Sequence, residues 1–323
     1  MSEFPALSAE QCADLLCGLC EVQILCHRRP DGDTLASAVA LGIILEQMGK
    51  RVHFACDDPV PERLAFVMGD RVLEAPIPET DKVSIDVASP DQLGSLREVA
   101  KDVKLMIDHH AKGDCFAPNY IIPETSSAAE VLFGVFEVLE ARGKVKMTKE
   151  LAEAFYTAIS SDTGCFRYSN AGADVHRLAA RLISVGIDFA HLNPMLFDSK
   201  SAAQIKAEGF VSSTLCTAMD GKVGYACITR GDMDERGLKM ESFDTAIDVV
   251  RSLFGVRIAF VVKECAQGCY RISLRSTGPA VNGIAQAFGG GGHQRAAGCN
   301  VDAASASEAV DIILSAIEKN IVL

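Results

Sequence analysis

Short apolar runs rich in β-branched residues alternate with segments of helical periodicity through the first part of the chain. VQILCH at 22–27 is one such run. It breaks at Pro30 and Gly32, and the following LASAVALGIILEQMGK has the apolar spacing of a helix that stops at Gly49. VHFAC at 52–56, KVSIDV at 82–87 and VKLMID at 103–108 read as three more strands. Their apolar positions are nearly continuous instead of alternating, which predicts burial on both faces and therefore a parallel α/β sheet. Helices are expected at 126–142, 149–160 and 173–186. This first domain is expected to cover residues 1–190.

A proline and a shift to polar residues mark an expected linker at 191–206, so that residues 207–323 form a second, smaller α/β domain. Strands are predicted at 223–228, 256–264 and 269–276, with a helix between the first two. A glycine-rich loop, FGGGGH, and a final helix from about Ser305 follow. Two domains suit a chain of 323 residues, which is long enough for two cores.

Composition narrows the function classes. No apolar stretch approaches the roughly 20 residues that a membrane helix needs, and MSEFPALSAEQ lacks the basic start and apolar core of a secretory signal, so a cytoplasmic protein without membrane partners is expected. The 12 cysteines are scattered, mostly within apolar runs, and read as reduced, packed thiols. Cys17 and Cys20 form a tight pair with no second pair at zinc spacing, and also read as packing. The net charge of −12 argues against a protein that grips long duplex nucleic acid through many phosphates. Residues 1–205 carry 19 basic and 30 acidic side chains, whereas residues 206–323 carry 12 and 13. The acid is concentrated in the first domain.

That acid falls at the ends of predicted elements. In an open parallel sheet, ligands collect beyond the carboxyl ends of the strands. The first strand ends at His27, with Asp31 and Asp33 after it; the third ends at Asp86; the fourth ends at Asp108, His109 and His110; and Asp162 closes a helix. An isolated Asp-Gly-Asp more often caps a helix than binds a ligand. Several carboxylates in one crevice would repel one another unless cations neutralised them. Three or four acids with two or more histidines fit one or two divalent metals, and oxygen-rich ligation with imidazole and no thiolate favours Mn(II) over Mg(II), Fe(II) or structural zinc. Two such ions about 3.5 to 4 Å apart activate a water for in-line attack on phosphorus.

HRRPDGD, the Asp of SIDVASP, MIDHH and SSDTGCFR, in this order, resemble the four motifs of the DHH phosphoesterase family, and NGIAQAFGGGGHQRAAG resembles the signature of its associated C-terminal domain. The short length looks most like the branch of bacterial nano-RNases that also dephosphorylate 3'-phosphoadenosine 5'-phosphate (pAp). The resemblance implies that His27 and Asp31 hold one Mn(II), that Asp33, His109 and Asp162 hold the other, and that Asp86 bridges them. It implies that His110 faces the substrate as a phosphate ligand or general acid, and that Asp108 orients a histidine or touches a metal. Gln92 stands where many relatives carry Arg. A homodimer is also compatible with the resemblance.

In the second domain, Gly290, Gly291 and Gly292 let backbone N–H groups approach an anion. His293, Arg295, Arg275 and Ser276 nearby strengthen that reading, since Arg offers bidentate phosphate geometry. The resemblance implies that Arg275, Asn282 and His293 contact the terminal phosphate or nucleotide across a cleft. Lys263 and Arg271 read as edge-strand charges. With no Trp and few Tyr there is no long stacking track, so short single-stranded oligonucleotides or nucleotides are the expected partners, with Phe116, Phe166 or Tyr168 available to stack on a base. Readings left open are a phosphodiesterase for cyclic di-AMP or pApA, a single-strand DNA exonuclease and a non-catalytic nucleotide-binding module. An inorganic pyrophosphatase would carry lysine and arginine motifs in place of the glycine run.

Overall fold

A computed structural model describes residues 4–321 and divides the chain into two units, 1–199 and 200–323. The division falls inside the expected linker, but that segment is mostly helical. Phe189–Phe197 is a helix in spite of Pro194, and Ala202–Thr214 is another, capped by Ser201, which leaves 198–201 as the non-helical stretch. Among the described residues no helix is long and apolar enough to cross a membrane.

The first unit is an α/β structure on a five-stranded parallel sheet: β1 (Glu21–Leu25), β2 (Arg51–Ala55), β3 (Asp81–Ile85), β4 (Val103–Asp108) and β5 (Asn119–Ile121), in the order β2-β1-β3-β4-β5. β5 has only three residues, between Pro118 and Pro123, and is absent from the hydrophobic pattern. Val22 to Leu25 of β1 are fully buried because both faces are covered. Val22 and Ile24 face a large core with the helices Gly32–Gln47, Ala128–Ala141 and Lys149–Asp162. Leu25 joins a smaller core beneath Pro90–Asp102. The helix Gly32–Gln47 is buried from Gly32 through Leu45, as expected of a helix apolar all round. Burial of Leu35, Leu41, Ile44 and Leu45 there contributes about 1.5 to 3 kcal/mol each.

The second unit holds a six-stranded mixed sheet: β6 (Cys216–Ala218), β7 (Val223–Ile228), β8 (Ile258–Ala266), β9 (Cys269–Ser276), β10 (Gly291–His293) and β11 (Ala296–Asp302), in the order β10-β11-β9-β8-β7-β6. Only β7 and β8 run parallel. Strict alternation sends Tyr270, Ile272 and Leu274 of β9 to a core shared with the last helix, Ala306–Asn320. The opposite face is covered over β7 and β8 by Ala202–Thr214 and Ala246–Arg251. Over β9 and β11 it is half-open. Two expectations change. The end of the glycine run is an edge strand, not a loop, because Gly291, Gly292 and His293 pair with Gly298, Ala297 and Ala296. Lys263 lies on an interior strand and is buried, its Nζ 3.4 Å from Phe243 O and from Asp244 Oδ1.

Candidate metal centre

The carboxyl end of the parallel sheet gathers His27, Asp31, Asp33, Asp86, His109, His110 and Asp162 into three overlapping groups whose ligand atoms lie within 4.8 Å of one another. One is His27, Asp31 and Asp86. The second is Asp33, His109 and Asp162. The third, Asp86, His109 and His110, joins them.

Asp86, like His109, belongs to two of the groups. It follows β3 and turns the chain with a φ of 58°, a left-handed conformation that Asp tolerates better than most residues. Its Oδ2 is 3.4 Å from His27 Nε2, and its Oδ1 is 3.6 Å from His109 Nε2. Each oxygen therefore faces a different group. Oδ1 is buried and accepts no hydrogen bond, an arrangement that is expensive for a carboxylate unless a cation takes the lone pair.

His27 and His110 are fixed by neighbours. His27 Nδ1 lies 2.9 Å from Arg28 O, which can only accept, so Nδ1 carries a proton and Nε2 is the atom turned toward Asp31 and Asp86. His110 Nδ1 donates to Asp108 Oδ1 at 2.8 Å. The same oxygen takes the backbone N–H of His109 and His110. Of the two roles open to Asp108, the geometry is that of orienting His110. Asp108 belongs to none of the three groups.

Asp31 and Asp33 each serve the fold as well. Asp31 caps the helix Gly32–Gln47, its Oδ1 accepting from Asp33 N at 3.0 Å and Thr34 N at 3.1 Å, so the capping and ligand readings coexist. Asp33 is fully buried; its Oδ1 accepts from Ser37 Oγ at 2.7 Å and its Oδ2 from Ala128 N at 2.8 Å, at the start of Ala128–Ala141. That helix N-terminus favours a negative charge. Ser37 and the 128–129 backbone are supports that residue-type reasoning misses. The SSAAE run at 126–130 signals the helix start, where Ser127 Oγ takes Glu130 N, but not that Asp33 docks on it. Gly32 keeps no left-handed backbone; it is needed because a Cβ there would strike Ser161, whose Cβ would be 2.7 Å away. Gln92 makes no ion pair of the kind Arg would make, and instead accepts the N–H of Ala88.

The electrostatics of this cluster favour cations. Burial, then the charges of Asp86 and Asp31, push the Asp33 carboxyl well above the usual range. Burial and the charges of Asp33, Asp31 and Asp86 do the same to Asp162. Burial would lower His27, but Asp31 and Asp86 outweigh it and raise it to about 12. Four acids and three imidazoles with no thiolate in the groups suit divalent cations. His110, lowered by burial and raised more strongly by Asp108, reaches about 9.

The candidate anion-binding residues lie on the second unit. Arg275 shares the half-open sheet face with Ala296 and His293, which stand opposite one another across β9, β11 and β10. Two strand spacings separate Arg275 from His293, about 9.5 Å. Ser276 Oγ accepts from Gly278 N, Ser276 N donates to Arg295 O, and Asn282 begins the helix Asn282–Ala287. Gly290 and Gly292 are required by the hairpin itself, since Cβ atoms there would strike Gly298 O and Ala296 O; only Gly291 faces open space. Of the three aromatic candidates, Tyr168 is the exposed one, while Phe166 packs on Tyr156 and His176 and Phe116 is half-buried.

Both parts of the chain resemble known proteins. Residues 21–159 match the DHH family N-terminal domain and residues 220–322 match the DHHA1 domain. The bifunctional oligoribonuclease and PAP phosphatase NrnA of Thermus thermophilus is 26% identical over 306 residues, 93% of this chain and 90% of that protein. The cyclic-di-AMP phosphodiesterase GdpP of Bacillus subtilis is 25% identical over 92% of this chain but only 47% of its own length. The crystal structure of an exopolyphosphatase-related protein from Bacteroides fragilis shares the fold with a TM-score of 0.85 at 24% identity, over 96% of this chain and 95% of that one. With both domains matched in order, the chain belongs to the DHH family of phosphoesterases.

Proposed function

We propose that this phosphoester hydrolase uses two Mn(II) ions to release 5'-mononucleotides from oligonucleotides of about two to five residues and to remove the 3'-phosphate of pAp. The observation that carries the reading is the Asp86 carboxylate, with one oxygen toward His27, the other toward His109, and no hydrogen bond to the buried Oδ1. His27, Asp31 and Asp86 would hold one cation, and Asp33, His109, Asp162 and Asp86 the other. When bound, the cations supply an activated water and neutralise phosphoryl charge. His110, with Nδ1 held by Asp108, keeps Nε2 as the atom that contacts a phosphoryl oxygen or gives a proton to the leaving oxygen. Arg275, Ser276, Asn282, His293, Arg295 and the Gly290 to Gly292 backbone would bind the substrate's other anionic end.

The near full-length similarity to the Thermus thermophilus protein supports this substrate class. Similarity to a cyclic-di-AMP phosphodiesterase supports a second reading, hydrolysis of cyclic di-AMP or pApA by the same groups. Purified protein with Mn(II) and, in separate reactions, pAp, pApA, cyclic di-AMP and a five-nucleotide RNA distinguishes them. Turnover of RNA and pAp above the other two is expected; preference for cyclic di-AMP would overturn the first reading, and no turnover of any would sink both.

A further inference from the structure

The hairpin joining β8 to β9 holds two cysteines outside the metal-binding groups. Its register pairs Glu264 with Tyr270 and Ala266 with Cys269, so Cys265 is the extra residue of a bulge. In a bulge, two residues of one strand oppose one of the other. Cys265 is thereby turned onto Cys269: Sγ to Sγ is 3.3 Å, and Cys265 Sγ donates to Cys269 O at 3.2 Å. Gly268, at φ 76°, closes the turn. Both thiols are free, Cys265 exposed and Cys269 half-buried.

We infer that Cys265 and Cys269 form a redox-active dithiol that peroxide converts reversibly to a disulfide. The bond is about 2.05 Å long, so the sulfurs need to move by only about 1 Å. The contact with Cys265 and the charge of Asp302, opposite Cys269 on β11, hold the Cys269 thiol above its ordinary value. The exposed Cys265 therefore meets the oxidant first. Its thiolate sulfur attacks hydrogen peroxide, the O–O bond breaks, and sulfenic acid forms with loss of one water. Cys269 Sγ then attacks that sulfur and expels the second water. The two thiols lose two electrons and two protons, and one peroxide becomes two waters. Burial raises Cys12 to about 12 and Cys227 and Cys299 to about 11, which makes these packed thiols poor nucleophiles.

The test uses the full chain, titrated with hydrogen peroxide, quenched with N-ethylmaleimide and digested with trypsin without reduction. Cleavage after Lys263 and Arg271 releases ECAQGCYR, which carries both sulfurs. This peptide is expected to appear two hydrogens lighter and unlabelled at peroxide levels where Cys20 and Cys216, also exposed, still take the label. Dithiothreitol should return both labels. Retention of both labels until Cys20 and Cys216 oxidise would overturn the inference, as would direct passage of Cys265 to sulfinic acid. In Cys269→Ser, Cys265 should stop at sulfenic acid or proceed to sulfinic acid; an intramolecular disulfide from Cys265 to another cysteine at the same peroxide level would show that Cys269 is not its partner.

Discussion

Gly32 packs against Ser161 with no room for a side-chain carbon between them, which locks the Asp31 and Asp33 turn to the helix end that carries Asp162. Ligands from the two sides of the candidate centre are thus held in place by a contact between two residues that ligate nothing. Gly32→Ala should force these elements apart. Overpacking of this kind costs about 1 to 3 kcal/mol, and cation binding should weaken about tenfold or more. Ser161→Gly in the same chain should restore it. Isothermal titration with Mn(II) reads both variants, and failure of the second change to rescue the first would refute the contact's role.

Asp86→Asn should remove at least about a hundredfold of turnover, more than the loss typical of a residue that merely supports a ligand. Circular dichroism should be unchanged. Asp86→Ala adds a separate backbone cost of about 1 to 2 kcal/mol, because the position is left-handed. Survival of most activity in Asp86→Asn would mean that the bridging assignment is wrong.

Divalent cations should stabilise the first unit. Asp31, Asp33, Asp86 and Asp162 share one crevice, and relief of their repulsion is available only to the folded chain. At a free concentration one hundred times Kd, the gain is about 2.7 kcal/mol, or about 5 to 10 °C in Tm for a unit of this size. Calorimetry with and without Mn(II) measures it, with Asp86→Asn showing a much smaller shift. An equal shift in both proteins would place the ion elsewhere.

Asp108→Asn should reduce kcat about 10- to 100-fold with cation binding retained, since Asp108 orients His110 and sits in none of the ligand groups. Loss of the Mn(II)-dependent Tm shift in this variant would show that Asp108 is itself a ligand.

Arg275→Ala should raise KM for short oligonucleotides and pAp by about 10- to 100-fold, the worth of a hydrogen bond to a charged group. The cation-dependent Tm shift should stay as it is, because Arg275 belongs to the other unit. Parallel losses in both measurements would end the proposed division of labour between metal and anion binding.

β1 to β4 are legible because each is a short, mostly apolar run; β1 is buried on both faces as expected, whereas β2 at the sheet edge is exposed at Arg51 and half-buried at Val52 and His53. β10 and β11 are not legible, since GGH and AAGCNVD contain one β-branched residue and gain their identity from pairing with each other and with β9. Pro194 signals a break that packing overrides. At the candidate centre, residue type and order point to the acids and histidines. They do not reveal that Arg28 O sets the His27 tautomer, that Ser37 and the 128–129 backbone hold Asp33, or that Gly32 is there for Ser161. Apart from the Ser37 to Asp33 bond, an i,i+4 pair on one helix, those are contacts between segments far apart in the chain or with backbone atoms, which carry no residue-type signal.

The left-handed backbone at Asp86 also limits what can replace it. Glycine, asparagine and aspartate tolerate that conformation readily. Of these, asparagine keeps the size and removes the charge. That single replacement would leave a folded chain in which only the charge of the proposed bridging ligand is missing.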